Sequence, residues 1–175
     1  MRVISGKYKG KNIIGYDIEG TRPTQDRVKE SLFGMIQDYI DGSVVLDLFA
    51  GSGNLGIEAL SNGAESCIFV DSNSKCIECI KKNTRDMTGV EIICSDYRKV
   101  LDNLDKKFDL IFLDPPYNLE CLDYILYKIV ELDLLNQDGL VICEYEFDNF
   151  KDNYPDLELI KDKKYGYKNI KIYRR

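Results

Sequence analysis

The sequence predicts an α/β domain with a largely parallel sheet, helices on both faces and an antiparallel hairpin at its end. Three observations carry this. Apolar, β-branched runs alternate with amphipathic stretches along the 175 residues. A glycine-rich turn, residues 51–56, separates the first central apolar run from a helical stretch. The run Phe108–Leu113 is apolar almost throughout and halts at Asp114-Pro115-Pro116-Tyr117, where two prolines cannot continue a ladder.

Taken in order, residues 2–5 and 12–14 are short β-branched runs around Gly6-Lys7-Tyr8-Lys9-Gly10. They read as a hairpin, so residues 1–20 form a β-hairpin extension and 21–175 the main domain. Arg22-Pro23 is extended chain before a helix, with Thr24 the expected cap. Leu32, Phe33, Ile36 and Ile40 supply its apolar stripe. Strands are expected at 44–48, 66–70, 90–94, 108–113 and 140–144. Helices at 53–62, 74–86, 97–104 and 120–135 connect them through right-handed crossovers. Residues 157–161 and 169–174 complete a closing hairpin.

Composition narrows the function. Hydrophobic content of 44% and charged content of 31% are those of an ordinary globular chain. No apolar run approaches the roughly 20 residues that span a bilayer, and the amino terminus lacks a signal-peptide pattern, so a cytoplasmic, membrane-free protein is expected. The six cysteines lie in strand or helix patterns and are expected reduced. Cys76 and Cys79 form the only C-x-x-C, and without histidine no metal site is expected. The missing histidine also excludes Ser-His and Cys-His chemistry. Net charge is −6, yet residues 1–30 carry seven basic against four acidic side chains, and residues 161–175 seven against one. Two basic ends, interleaved with Tyr8, Tyr165, Tyr167 and Tyr173, are expected to meet a phosphate backbone.

Gly51, Gly53 and Gly56 have dinucleotide spacing, with Asp71 at the end of the second strand. That pattern serves NAD and S-adenosylmethionine alike. The neighbouring carboxylates discriminate: Asp47 precedes the turn, and Asp71 and Asp96 end the next two strands. Such a ring suits a sulfonium and an ammonium and repels a pyrophosphate. S-adenosylmethionine is therefore the expected cofactor. Its expected contacts are Asp47, Phe49, Gly51, Ser52, Gly53, Asp71, Ser72, Asp96, Tyr97 and Asp114. The Asp-Pro-Pro-Tyr turn falls where open α/β sheets bind ligands. It offers acceptors for both hydrogens of an exocyclic amino group and a ring to stack on. Asp114, Pro115, Pro116 and Tyr117 are the expected catalytic set, with Tyr117 stacking on a flipped-out base.

The glycine loop, Asp71, Asp96 and the Asp-Pro-Pro-Tyr turn, in that order, resemble class I amino-methyltransferases. The segment Arg22-Pro23-Thr24-Gln25-Asp26-Arg27-Val28-Lys29-Glu30-Ser31-Leu32-Phe33, after a Gly-Lys-Tyr-Lys-Gly-Lys stretch, narrows the likeness. The chain is similar over nearly its whole length to the RsmD-type family of bacterial small-subunit ribosomal RNA guanine-N2 methyltransferases. The resemblance implies a Rossmann-like class I methyltransferase fold, with seven strands and an antiparallel last strand. It also implies S-adenosylmethionine as donor and a guanine of 16S ribosomal RNA, in an assembling small subunit, as target. The Asp-Pro-Pro-Tyr motif alone is shared with enzymes that methylate adenine in DNA or RNA, or a protein glutamine, and these remain the alternative. Lys7, Lys9, Lys11, Arg22 and Arg27 are the expected RNA contacts. Asp26 is expected in an ion pair with Arg22 or Arg27 that pins the helix start.

Overall fold

The structure of the chain, a computed structural model, describes residues 1–15, 23–116, 119–147, 149–166 and 168–175. Strands β1 (Val44–Asp47), β2 (Ser66–Asp71), β3 (Val90–Cys94), β4 (Phe108–Leu113), β5 (Leu135–Tyr145), β6 (Glu158–Tyr165) and β7 (Lys168–Arg174) form a seven-stranded sheet. Its order is β3-β2-β1-β4-β5-β7-β6. All neighbouring pairs from β3 to β5 are parallel, and β7 runs antiparallel to both β5 and β6. The expected mixed sheet with an antiparallel last strand is therefore present. The closing hairpin differs in one respect: β7 inserts beside β5, so β6 and not the last strand forms the edge.

Helices α1 (Pro23–Ile36), α2 (Asn54–Ser61) and α3 (Ser74–Thr84) cover one face. There Ile36, Ile57 and Ile80 meet Val45, Phe69, Phe112 and Ile142. Helices α4 (Tyr97–Leu101) and α5 (Leu122–Glu131) cover the other, where Leu101, Ile125 and Ile129 meet Leu46, Val70, Ile111 and Val141. Alternate strand residues feed the two cores, the period of two that a sheet covered on both sides requires.

Several boundaries differ from expectation. Helix α1 starts at Pro23, one residue before Thr24, because proline needs no amide partner in a first turn. It ends in a 3₁₀ turn, Gln37–Tyr39. The helix expected to run to 135 stops at Glu131, and Asp133 is left-handed with φ of 54°. Strand β5 then begins at Leu135, paired with Phe108, before the register shifts to Leu110–Leu140. Leu134 and Leu135 look like the end of an apolar helix face, but pairing with β4 captures them.

The amino-terminal hairpin is also simpler than expected. One antiparallel bridge, Arg2 with Asn12, replaces two strands, supported by Val3 N–H to Lys11 C=O at 2.9 Å. It is anchored to α2: the Glu58 carboxylate accepts Ile4 N–H at 3.0 Å and Ser5 N–H at 2.9 Å. Gly6 has φ of 78°, and a Cβ there would lie 1.8 Å from the Ser61 carbonyl oxygen. Only glycine lets the chain approach α2 so closely. Among the described residues, no helix is long and apolar enough to cross a membrane. All six cysteines are free thiols, five of them buried.

Candidate active site

The carboxyl ends of β1 to β5 open onto a cleft of about 1040 Å³. Asp47, Phe49, Gly51, Ser52, Asp71, Ser72, Asp96 and Tyr97 line it on the β1–β3 side, as expected. Asp114, Pro115 and Pro116 line it from the end of β4. Eleven of the expected cofactor and catalytic residues thus share one cavity. Gly53 does not line it. Its φ is 84°, and a Cβ would meet Ile57 at 3.1 Å and Phe69 at 3.3 Å, so it serves loop and core. Tyr117 and Arg22 lie outside the described residues.

The glycine loop is fixed by carboxylates. Asp47 is 1% exposed and accepts the Gly56 N–H at 3.0 Å, which tethers the start of α2 to β1. Burial pushes its carboxyl up to about 7, partly offset by the Gly56 amide, with Asp114 and Asp71 adding to the rise. Asp71 accepts the Gly51 N–H at 2.9 Å through one oxygen and the Asn73 N–H at 2.8 Å through the other. Gly51 itself has φ of 55°, with nothing within 4 Å of where a Cβ would stand. That opening lets a ligand reach the loop backbone. The Phe49 and Tyr97 rings meet at a tilt of 48° with centroids 5.2 Å apart, and both pack against the core.

Asp96 belongs to the expected ring but is already partnered. It caps α4 through Arg98 N–H and pairs with the Arg98 guanidinium at 2.8 Å. The side-chain bonds to Arg98, followed by the backbone amide, hold it down to about 2. The ring is therefore less negative than three unpaired carboxylates, because Arg98 compensates one and burial raises the proton affinity of another.

Asp114 and Pro115 leave β4 where Leu113 pairs with Cys143. Burial raises Asp114 above the usual carboxylate range, and the Lys168 ammonium pulls it partly back. Lys168 is itself ion-paired with Glu144, and both line the cleft.

Four site residues escaped sequence reasoning. Glu144 and Lys168 are two, brought together by the pairing of β5 with β7. Lys29 is the third: it is 3% exposed, lines the cleft and pairs with Glu58 at 2.8 Å. Its ammonium also donates to the Arg2 carbonyl at 2.8 Å and Asn54 Oδ1 at 2.7 Å. Asn83 is the fourth, donating to the Ser52 and Ile14 carbonyls at 2.9 Å and so tying the loop to the amino-terminal segment.

The expected RNA contacts divide. Lys7 and Lys9 are exposed on the amino-terminal turn and Arg27 is exposed on α1. Lys11 is ion-paired with Asp86, so its charge is already engaged. Asp26 pairs with Arg2 at 3.9 Å, a partner from the amino-terminal segment and not one of the arginines expected at the helix start. At the carboxyl end, Tyr173 is fully buried and donates to the Lys151 carbonyl, Tyr165 bonds Ser31, and Lys171 pairs with Asp152. Tyr167 lies outside the described residues. That basic end is spent largely on structure. Its exposed lysines, 161, 163 and 164, sit on edge strand β6, where charge blocks strand addition. Among the described residues, no group of three His, Cys, Asp or Glu is placed to hold a metal.

The family model described as conserved hypothetical protein 95 matches residues 1–174. The chain belongs to this family. It is the RsmD-type family that the motifs point to. The chain is 42% identical over 182 residues to the candidate rRNA methyltransferase YlbH of Bacillus subtilis, covering 100% of this chain and 99% of that protein. It is 33% identical to the ribosomal RNA small subunit methyltransferase D of Haemophilus influenzae, covering 99% and 93%. Among solved structures, the candidate methyltransferase yhhF of Escherichia coli superposes with a TM-score of 0.90 at 28% identity, covering 100% of this chain and 97% of that one. For this RsmD-type protein, family and sheet topology agree.

Proposed function

We propose that this protein transfers a methyl group from S-adenosylmethionine to the exocyclic N2 of a guanine in small-subunit ribosomal RNA. The observation that most supports this is a juxtaposition: Asp114 and Pro115 open onto the cleft that the glycine loop, Asp47 and Asp71 line. The volume, the open Gly51 backbone and the carboxylates fit the cofactor, which supplies an electrophilic methyl group on a sulfonium. Asp71 retains lone pairs beyond its two backbone bonds and accepts the ribose hydroxyls. Asp47 faces the ammonium, whose charge favours the ionised carboxylate. Asp96 and Tyr97 border the adenine, and Phe49 lies beside it.

Guanine N2 donates its lone pair into the ring and is a weak nucleophile. The Asp114 carboxylate and the Pro115 carbonyl accept its two hydrogens and direct the lone pair outward. Tyr117 stacks on the flipped base, and Pro116 fixes the turn. When bound, the cofactor would offer its methyl group to N2, and Asp114 would take the proton that N2 sheds, its raised proton affinity suiting that role. Rate acceleration comes from positioning and fixed dipoles. The names of the rRNA-methylating relatives, with exposed Lys7, Lys9 and Arg27, support small-subunit ribosomal RNA as substrate. Mass spectrometry of nucleosides and mapped fragments from small-subunit RNA, with and without the gene, tests this. Loss of N2-methylguanosine is expected; an unchanged level, or labelled DNA or protein instead, overturns it.

A further inference from the structure

We propose that Glu144 and Lys168 read the lactam edge of the target base, Glu144 accepting N1–H and Lys168 donating to O6. This rests on the methyl-transfer reading above and names what selects guanine. The placement comes from the sheet. Leu113 of β4 pairs with Cys143 of β5, so the residues that follow them, Asp114 and Glu144, leave that last rung side by side. Parallel neighbours on one rung share a face. Glu144 pairs across to Ile170 of β7, and Lys168, two residues earlier, shares that face. The strand residues beneath them, Ile142, Phe112 and Ile170, all face the α1 side.

A scaffold role is a weak explanation for this pair. Buried ion pairs return little net stability, and apolar side chains fill the neighbouring positions of the same strands. Glu144 is 8% exposed, yet it lines the cleft together with Lys168 and Asp114. Guanine presents, side by side, the O6 acceptor, the N1–H donor and the N2 amino donor. An ammonium, a carboxylate and the Asp114 carboxylate complement those three. Adenine inverts the first two: its amino group meets the ammonium and its N1 lone pair meets the carboxylate. Until a base enters, Glu144 and Lys168 satisfy each other.

The test uses small-subunit RNA ligated from fragments, with guanosine or 2-aminopurine riboside at the mapped target. 2-Aminopurine keeps the 2-amino group but has a bare N1 and no O6. Wild-type protein should prefer guanine by a factor on the order of 10³ or more in kcat/KM, as sites with buried polar partners do. Glu144→Gln can turn its amide to donate to N1 and should cut that preference at least tenfold. Lys168→Met should cut it by a smaller factor. The ratio does not depend on how much variant is folded. If Glu144→Gln and Lys168→Met slow both substrates equally, the pair is only structural and the inference fails. If wild-type protein methylates neither base at N2, the proposed reaction itself fails, and this inference with it.

Discussion

In the half of the cleft built by β1, β2 and β3, every carboxylate is tied to a backbone amide. Asp47 holds Gly56, Asp71 holds Gly51 and Asn73, and Asp96 holds Arg98. In the half built by β4, β5 and β7, no backbone amide bonds to Asp114 or Glu144 among the described residues, and Glu144 is held by the Lys168 side chain. The first half spends part of its charge on shaping its own loop before anything binds. The second holds Glu144 by a side chain instead. On the proposed reading, a pre-shaped cofactor cradle stands beside a base pocket held by side chains, which suits one fixed donor and one everted substrate.

The comparison predicts that lesions in the two halves report in different assays. If Asp114 accepts the reacting amino group as proposed, Asp114→Ala should lower kcat/KM for RNA methylation about 10³-fold, the cost of losing one aligned transition-state partner. Cofactor affinity, measured by calorimetry, should change less than about threefold. Equal loss of cofactor binding would merge the two halves and break the distinction. On the cofactor side, Lys29→Met strands Glu58, which is 1% exposed and accepts two amides of the amino-terminal segment. Removing one partner of a buried pair costs about 3–5 kcal/mol, read as a lower urea midpoint. Adding Glu58→Gln should recover much of that loss, because no uncompensated charge then remains.

The two halves were also unequally legible in the sequence. The cofactor side is local: strand, glycine turn and helix are contiguous, and the acid ending the next strand falls at a fixed spacing. Asp114 was legible because two prolines stop an apolar run. Glu144 and Lys168 were not, because their meaning depends on β7 inserting between β5 and β6, a pairing that no local pattern encodes. The same long-range pairing moved the start of β5 to Leu135 against an apolar helical reading. Lys29 and Asn83 sit in helical patterns where lysine and asparagine normally face solvent, and only tertiary contact with the amino-terminal segment buries them.

A third prediction sharpens the account of Asp47. Its folded pKa is raised, so between the unfolded value near 4 and the folded value of about 7 the native state binds the extra proton. That contribution to stability is present at low pH and is lost as pH rises through this window. A cationic ligand prefers the ionised form, so S-adenosylmethionine affinity should rise by up to tenfold per pH unit between pH 6 and 7. Asp47→Asn should flatten that slope. A slope that survives the substitution assigns the titration to another group.

The smallest effects lie outside both halves and measure what the cleft does not supply. Lys9 is exposed, whereas Lys11 is already paired with Asp86. Each phosphate contact contributes roughly 0.7–0.9 to the slope of log affinity against log salt. Lys9→Gln should therefore lower the slope for RNA binding by about that amount and weaken affinity only a few-fold at moderate salt. Lys11→Gln should change the slope by less than half as much, since it exchanges an internal partner and not a phosphate. Both substitutions should leave the guanine preference untouched, because backbone contacts carry affinity and not base identity. If Lys11→Gln proves the stronger, the Asp86 pair opens on binding, and the amino-terminal turn reshapes itself around RNA.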